Sequence, residues 1–177
     1  ISHAGYVLIA LVAFTPAATT AGLYYLLCYT VMNIGAFTVL IMVEARENSD
    51  TNFSSFAGMG RRYPFLGILL TIFMISLAGF PPTAGFMGKF LVFKSAIDTG
   101  STSLIVLVVL AVVNSLVSVY YYLRVVVVMF MVEPELEYRP INFATGIIAA
   151  LVISMGGTLL LGIYPQLFAF FLNTSLI

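Results

Sequence analysis

Uncharged and mostly apolar runs dominate this chain, from Ala4 to Val43, Tyr63 to Gly88, Thr99 to Leu123 and Pro140 to Ile177, with charge confined to short clusters between them. Each run exceeds the roughly 20 residues that a spanning helix needs, so the pattern predicts an all-α, polytopic transmembrane helix bundle of about five or six spans. A single transmembrane domain is expected, with helices near 1–14, 22–43, 64–79, 83–97, 103–131 and 145–164. The first is short of a full span and reads as a truncated helix ending at the turn-forming Thr15-Pro16. On the last, Gly146, Ala150, Ser154, Thr158 and Gly162 form a small-residue row at spacing four, the pattern that lets two membrane helices approach closely. Pro165 ends that span, and Leu167 to Leu172 is too short to cross.

The stretch from Pro64 to Asp98 must break, because as one helix it would run about 52 Å against a hydrocarbon core of roughly 30 Å. Gly79, Pro81 and Pro82 supply the break, since proline removes backbone donors and clashes with the preceding turn. Both a tight hairpin of two short spans and one discontinuous span satisfy the sequence. Lys89 follows the break and is the only charge between Tyr63 and Phe93. An ammonium at that depth is unfavourable by roughly 2.5 to 3.5 kcal/mol on insertion scales, so it is expected to pair inside the bundle or face water in a pathway.

Composition narrows the function. The chain is 62% hydrophobic and 8% charged, far from the roughly 25% charge of a soluble domain. Seven basic and seven acidic residues cancel and leave no basic face, which excludes nucleic acid as a partner. The single Cys28 excludes disulfides and cysteine metal sites and reads as a packing residue. There is no glycine-rich nucleotide loop, no cysteine cluster, no histidine pair and no Ser/His/Asp set, so no metal or cofactor is expected in this chain and ion handling remains. The chain opens on Ile1 inside an apolar helix without a signal peptide, as expected of a piece of a longer polypeptide. The loop carrying Glu44, Arg46, Glu47, Asp50, Arg61 and Arg62 is expected to be exposed, as is the acidic loop of Glu133, Glu135 and Glu137 with Arg139. Arg46, Arg61 and Arg62 argue that their loop is cytoplasmic, but acidic residues balance them and Arg124 and Arg139 compete, which leaves sidedness open.

The candidates for chemistry are few. A buried amine can shuttle protons when desolvation brings its two protonation states close in free energy, and Lys89 is placed for that, the alternative being a lysine that snorkels to the interface. Lys94 and Asp98, at i and i+4, read as an interfacial ion pair. His3 is either a proton relay near neutral pH or a hydrogen-bonded packing residue. Tyr25, Tyr29 and Asn33 fall on one helix face, where they could line a water wire or bond neighbouring helices. Asn114, Ser118 and Tyr122 form another stripe, while Tyr120, Tyr121 and Tyr122 followed by Arg124 read as an interface belt.

In order along the chain, Ile1-Ser2-His3-Ala4-Gly5-Tyr6, the Tyr25/Tyr29/Asn33/Gly35/Phe37 helix, Ser76-Leu-Ala-Gly-Phe-Pro-Pro-Thr-Ala-Gly-Phe-Met-Gly-Lys89-Phe90 and Val119-Tyr-Tyr-Tyr-Leu-Arg124 resemble the antiporter-like proton-pumping subunits of respiratory complex I, in their C-terminal part. The N type is the nearest branch; Ser-Lys-Asp would be expected of the L type, and Gly-Glu-Phe of the M type, where Gly88-Lys89-Phe90 stands. The resemblance implies inverted helix repeats, each with a discontinuous helix, of which this chain holds most of the second. It carries over Lys89 as the proton-translocating lysine of that repeat. It also implies sister antiporter-like subunits and other membrane subunits as partners, with flavin, iron-sulfur clusters and quinone on those partners. The expected setting is a bilayer, the bacterial inner membrane foremost, or a mitochondrial inner or thylakoid membrane. A subunit of a multisubunit sodium/proton antiporter and a structural membrane scaffold remain as alternatives.

Overall fold

A computed structural model describes residues 1–47, 56–133, 144–166 and 168, the side chains of 44–47 excepted. The expectations for Glu44, Arg46, Glu47, Asp50, Glu135, Glu137, Arg139 and the 167–172 segment apart from Phe168 therefore lie outside what is described. The described residues are helical throughout their ordered elements: α1 Ser2–Ala13, α2 Pro16–Glu47, α3 Met59–Arg62, α4 Pro64–Ala78, α5 Ala84–Ile97, α6 Thr102–Met131 and α7 Thr145–Ile163. Pro16–Val43, Thr102–Met131 and Thr145–Ile163 are each long and apolar enough to cross a membrane.

The second helix begins at Pro16, earlier than the expected start near Gly22. Thr15-Pro16 does end α1, with Phe14 in the left-handed region at φ 46, but it also starts α2 at once. The Thr15 hydroxyl accepts a hydrogen bond from the Ala18 N–H at 3.1 Å, and Pro16 occupies a first-turn position where its missing donor costs nothing. Thr15→Ala is expected to cost about 1 kcal/mol of helix stability, read as a lower midpoint in detergent-denaturation titrations of the assembled protein. An unchanged midpoint would mean the cap is dispensable.

Contacts along α2 decide how α4 and α5 are arranged. Going up α2, Tyr25 lies against Gly88, Met32 against Gly85 and Ser76, and Gly35 against Phe73. One helix thus runs antiparallel to α5 and then to α4 in succession. Across the bundle α6 does the same, with Ser115 at Lys89 and Phe130 at Gly60 and Gly67. The two pieces, about 22 and 21 Å long, are therefore one discontinuous span and not a hairpin, since neither alone crosses a core of roughly 30 Å. Among the described residues the long apolar elements are then α2, α4–α5 taken together, α6 and α7, with short α1 beside the α5 half.

The core sits around α2, where Tyr24, Cys28, Met32, Ala36 and Val39 are buried. Cys28 is a packing residue there. On α7, Ser154, Thr158 and Gly162 of the small-residue row are buried whereas Gly146 is exposed. Gly162 packs directly on the Pro82 carbonyl and the Thr83 backbone, so the row's lower end braces the break. The Thr158 hydroxyl donates to the Ser154 carbonyl at 2.7 Å, which satisfies it without a partner helix. The outward face of α6 carries Val109, Leu110, Leu116 and Val117, an apolar surface suited to hydrocarbon.

Candidate functional site

The site is built where α4 ends. Gly79 terminates the helix in the left-handed region at φ 96, and its N–H bonds the Ile75 and Ser76 carbonyls. The carbonyls of the last turn, Leu77 and Ala78, have no further turn to donate to them. Ser76 joins the pieces: its hydroxyl donates to Met32 Sδ at 2.8 Å and accepts from the Gly85 N–H at 3.3 Å. Met32 lies midway along α2, which places the break near mid-depth of the bundle.

Lys89, one turn into α5, reaches back and takes both stranded carbonyls, Leu77 at 3.1 Å and Ala78 at 2.8 Å. Its third bond, 3.0 Å, goes to the Ser115 hydroxyl on α6. The residue is 5% exposed, and Nζ stands 5.3 Å from the centre of the Tyr6 ring. All three hydrogen bonds go to neutral oxygens. The ammonium is thus held by the negative end of the α4 dipole, two carbonyls and a hydroxyl, with an aromatic face beside it. A side chain at residue 79 would put its Cβ 2.9 Å from Nζ, so glycine there serves both the turn and the lysine.

A second polar cluster lies beside the first. His3, 8% exposed, bonds Tyr25 through Nδ1 at 2.5 Å and Tyr122 through Nε2 at 2.8 Å. Its ring stacks on Tyr29 with 4.6 Å between centroids. Tyr6 meets both Tyr25, at 5.8 Å, and His3, at 5.9 Å, edge to face, and its ring lies beside Lys89 Nζ. Residues from α1, α2 and α6 thus form one polar seam with Lys89 at its end.

Some expected members are elsewhere. Asn33 donates to the Tyr29 carbonyl of its own helix at 2.8 Å and does not join His3. Asn114 is exposed and bonds the Ser2 hydroxyl at 3.1 Å, and Ser118 donates to the Ser115 carbonyl at 2.6 Å. Tyr120 and Tyr121 face outward as a belt would, whereas Tyr122 turns inward to His3. Lys94 and Asp98 form their pair at 2.8 Å with both side chains 58% exposed, on the rim of a cavity of about 570 Å³ between α2, α5 and the end of α7. Arg124 is exposed.

Two residues of the site escape the sequence reading, Ser115 and Tyr6. Ser115 lies on the face of Leu104, Val108, Ala111, Ser118 and Tyr122, which turns inward, but α6 is apolar nearly all round, so its sequence alone does not single that face out. Asn114, more polar and one residue away, falls on the other side. Tyr6 lies one turn beyond His3 and so shares its face.

The sequence matches, over residues 1–118, the family described as "NADH:quinone oxidoreductase/Mrp antiporter, TM". It is 43% identical over 167 residues to NADH-quinone oxidoreductase subunit N of Trichlorobacter lovleyi, covering 94% of this chain and 34% of that protein. It is 36% identical over 176 residues to F(420)H(2) dehydrogenase subunit N of Methanosarcina mazei, covering 95% and 35%. Among solved structures, a chain of respiratory complex I from Thermus thermophilus with bound aureothin superposes with a TM-score of 0.74 at 36% identity, covering 93% of this chain and 36% of that one. The chain therefore spans about a third of the length of these relatives.

Proposed function

The chain belongs to the NADH:quinone oxidoreductase/Mrp antiporter transmembrane family, and from that premise we propose that it forms part of an N-type membrane subunit that moves protons through Lys89 while partner subunits reduce quinone. The observation that carries this reading is the buried amine of Lys89, seated on two helix-end carbonyls at the break with a hydroxyl as third partner. Neutral partners suit a group that must change charge, because none is left as an uncompensated ion when the amine loses its proton. A structural scaffold would place its lysine at the interface; at 5% exposed, Lys89 is inside.

His3 is the second proton-handling group in this proposal. A neutral imidazole donates from one ring nitrogen and accepts at the other, and both nitrogens here meet tyrosine hydroxyls, so a proton taken at one can leave at the other. Tyr25 and Tyr29 hold the ring. Asn33 supports the α2 backbone alongside. The chain has no redox role in this scheme: flavin, iron-sulfur clusters and the quinone pocket sit on other subunits of the assembly, with sister antiporter-like subunits as membrane neighbours and the bacterial inner membrane as the setting.

The family's description also names an antiporter, and the assembly separates a sodium/proton-exchange reading from this one. Affinity purification through the full-length subunit is expected to recover a quinone-reducing complex whose vesicles acidify or alkalinise on quinone reduction without sodium. Recovery with exchanger subunits alone, and sodium-dependent proton movement without a reductant, would move the protein to the antiporter class.

A further inference from the structure

We propose that Ser115 is the residue through which Lys89 gives up its proton, and that Tyr6 is the next acceptor. The inference rests on Lys89 being the translocating amine. Of the three groups that Lys89 bonds, the Leu77 and Ala78 carbonyls are acceptors only and lead nowhere, whereas the Ser115 hydroxyl accepts and donates. The next group is in place. Tyr6 is 2% exposed, its ring centre lies 5.3 Å from the same Nζ that bonds Ser115, and its buried hydroxyl has no hydrogen-bond partner among the described residues. An unsatisfied buried hydroxyl is rare and marks a position where a partner or a water arrives.

The Ser118 hydroxyl, bound to the Ser115 carbonyl, pins the backbone that carries Ser115. In the transfer, an N–H bond of the ammonium breaks as the Ser115 oxygen gains that proton. The serine's original proton passes to the Tyr6 oxygen, and the phenolic proton of Tyr6 passes to water in the Tyr25–His3 seam. Both hydroxyls end as they began and one proton has moved, leaving Lys89 neutral.

The test compares Ser115→Ala, Ser115→Thr, Tyr6→Phe and Lys89→Ala in the intact assembly, measuring protons pumped per quinone reduced and the solvent deuterium isotope effect on pumping. Ser115→Ala and Tyr6→Phe are expected to slow proton transfer on the order of a hundredfold, the lower end for losing a proton-transfer group, with a larger isotope effect. Ser115→Thr, which keeps the hydroxyl, is expected to restore pumping, a rescue that loss of packing alone does not explain. Wild-type pumping by Ser115→Ala alongside a defective Lys89→Ala overturns this route and leaves the lysine's role standing. Wild-type pumping by Lys89→Ala overturns both. Should Ser115→Ala fail to assemble, Tyr6→Phe decides, since it removes one hydroxyl from an otherwise intact ring: normal pumping rejects the route and slowed pumping supports it.

Discussion

Lys89→Ala in the full-length subunit is expected to leave the complex assembled and to abolish its share of proton pumping. Assembly survives because two terms oppose. Removing the amine leaves the Leu77 and Ala78 carbonyls and the Ser115 hydroxyl short of a partner, at about 1 to 3 kcal/mol for each group that water does not reach. Against that, a cation unfavourable by roughly 2.5 to 3.5 kcal/mol at depth is gone. Pumping does not survive, since no other titratable group lies between Tyr63 and Phe93. Lys89→Arg is expected to fail as well, because a guanidinium keeps its proton and because the space next to Gly79 is shaped for an ammonium. Lys94→Ala is the control: its exposed i,i+4 pair with Asp98 contributes about 0.3 to 0.5 kcal/mol at most. The measurement is quinone-dependent proton pumping in reconstituted vesicles, normalised to assembled complex. Wild-type stoichiometry in Lys89→Ala with a defect in Lys94→Ala would assign the role to the other lysine.

Gly85→Ala is expected to damage the break more than any other single methyl group added to the glycines described here. Its new Cβ would overlap the Ser76 carbonyl, a backbone group at the end of α4 that cannot swing aside. The same shift would pull the Gly85 N–H from the Ser76 hydroxyl and separate the two half-helices that Ser76 joins. Overpacking of this kind costs about 1 to 3 kcal/mol, and more where backbone must move. Gly156→Ala, by contrast, meets nothing within 4 Å and should be neutral or gain up to about 1 kcal/mol of helix propensity. Thermal inactivation of the purified complex reads both. Equal midpoints for the two variants would refute the close contact between α4 and α5.

Part of the candidate site is legible in the sequence, and the parts that are not share a cause. Lys89 stands out in sequence because one charge in a long apolar run is a local property, and Gly79 with Pro81-Pro82 announces the broken helix by backbone chemistry alone. His3 and Lys89 were both nameable as polar groups without an evident partner. Their partners were not: His3 binds Tyr122 across 119 positions of sequence, and Lys89 binds Ser115 across 26. Neither spacing leaves a mark in either segment.

The sequence by itself determined that this is a membrane protein made of helices, where most of those helices lie, and that the chain breaks between Pro64 and Asp98 shortly before a lone lysine. Those follow from hydropathy and from proline and glycine, which act on a residue and its neighbours. Only the tertiary structure decided that α4 and α5 lie in line, because that depends on which residues of α2 and α6 they meet. It decided that Ser115 and not Asn114 faces the lysine, since one step along a helix turns a side chain by about 100° and packing alone sets which direction is inward. It decided too that Asn33 bonds its own helix while Tyr122 leaves the belt for His3. A buried polar group takes the partner that the folded bundle brings within hydrogen-bond reach, and that distance exists only once the helices have packed.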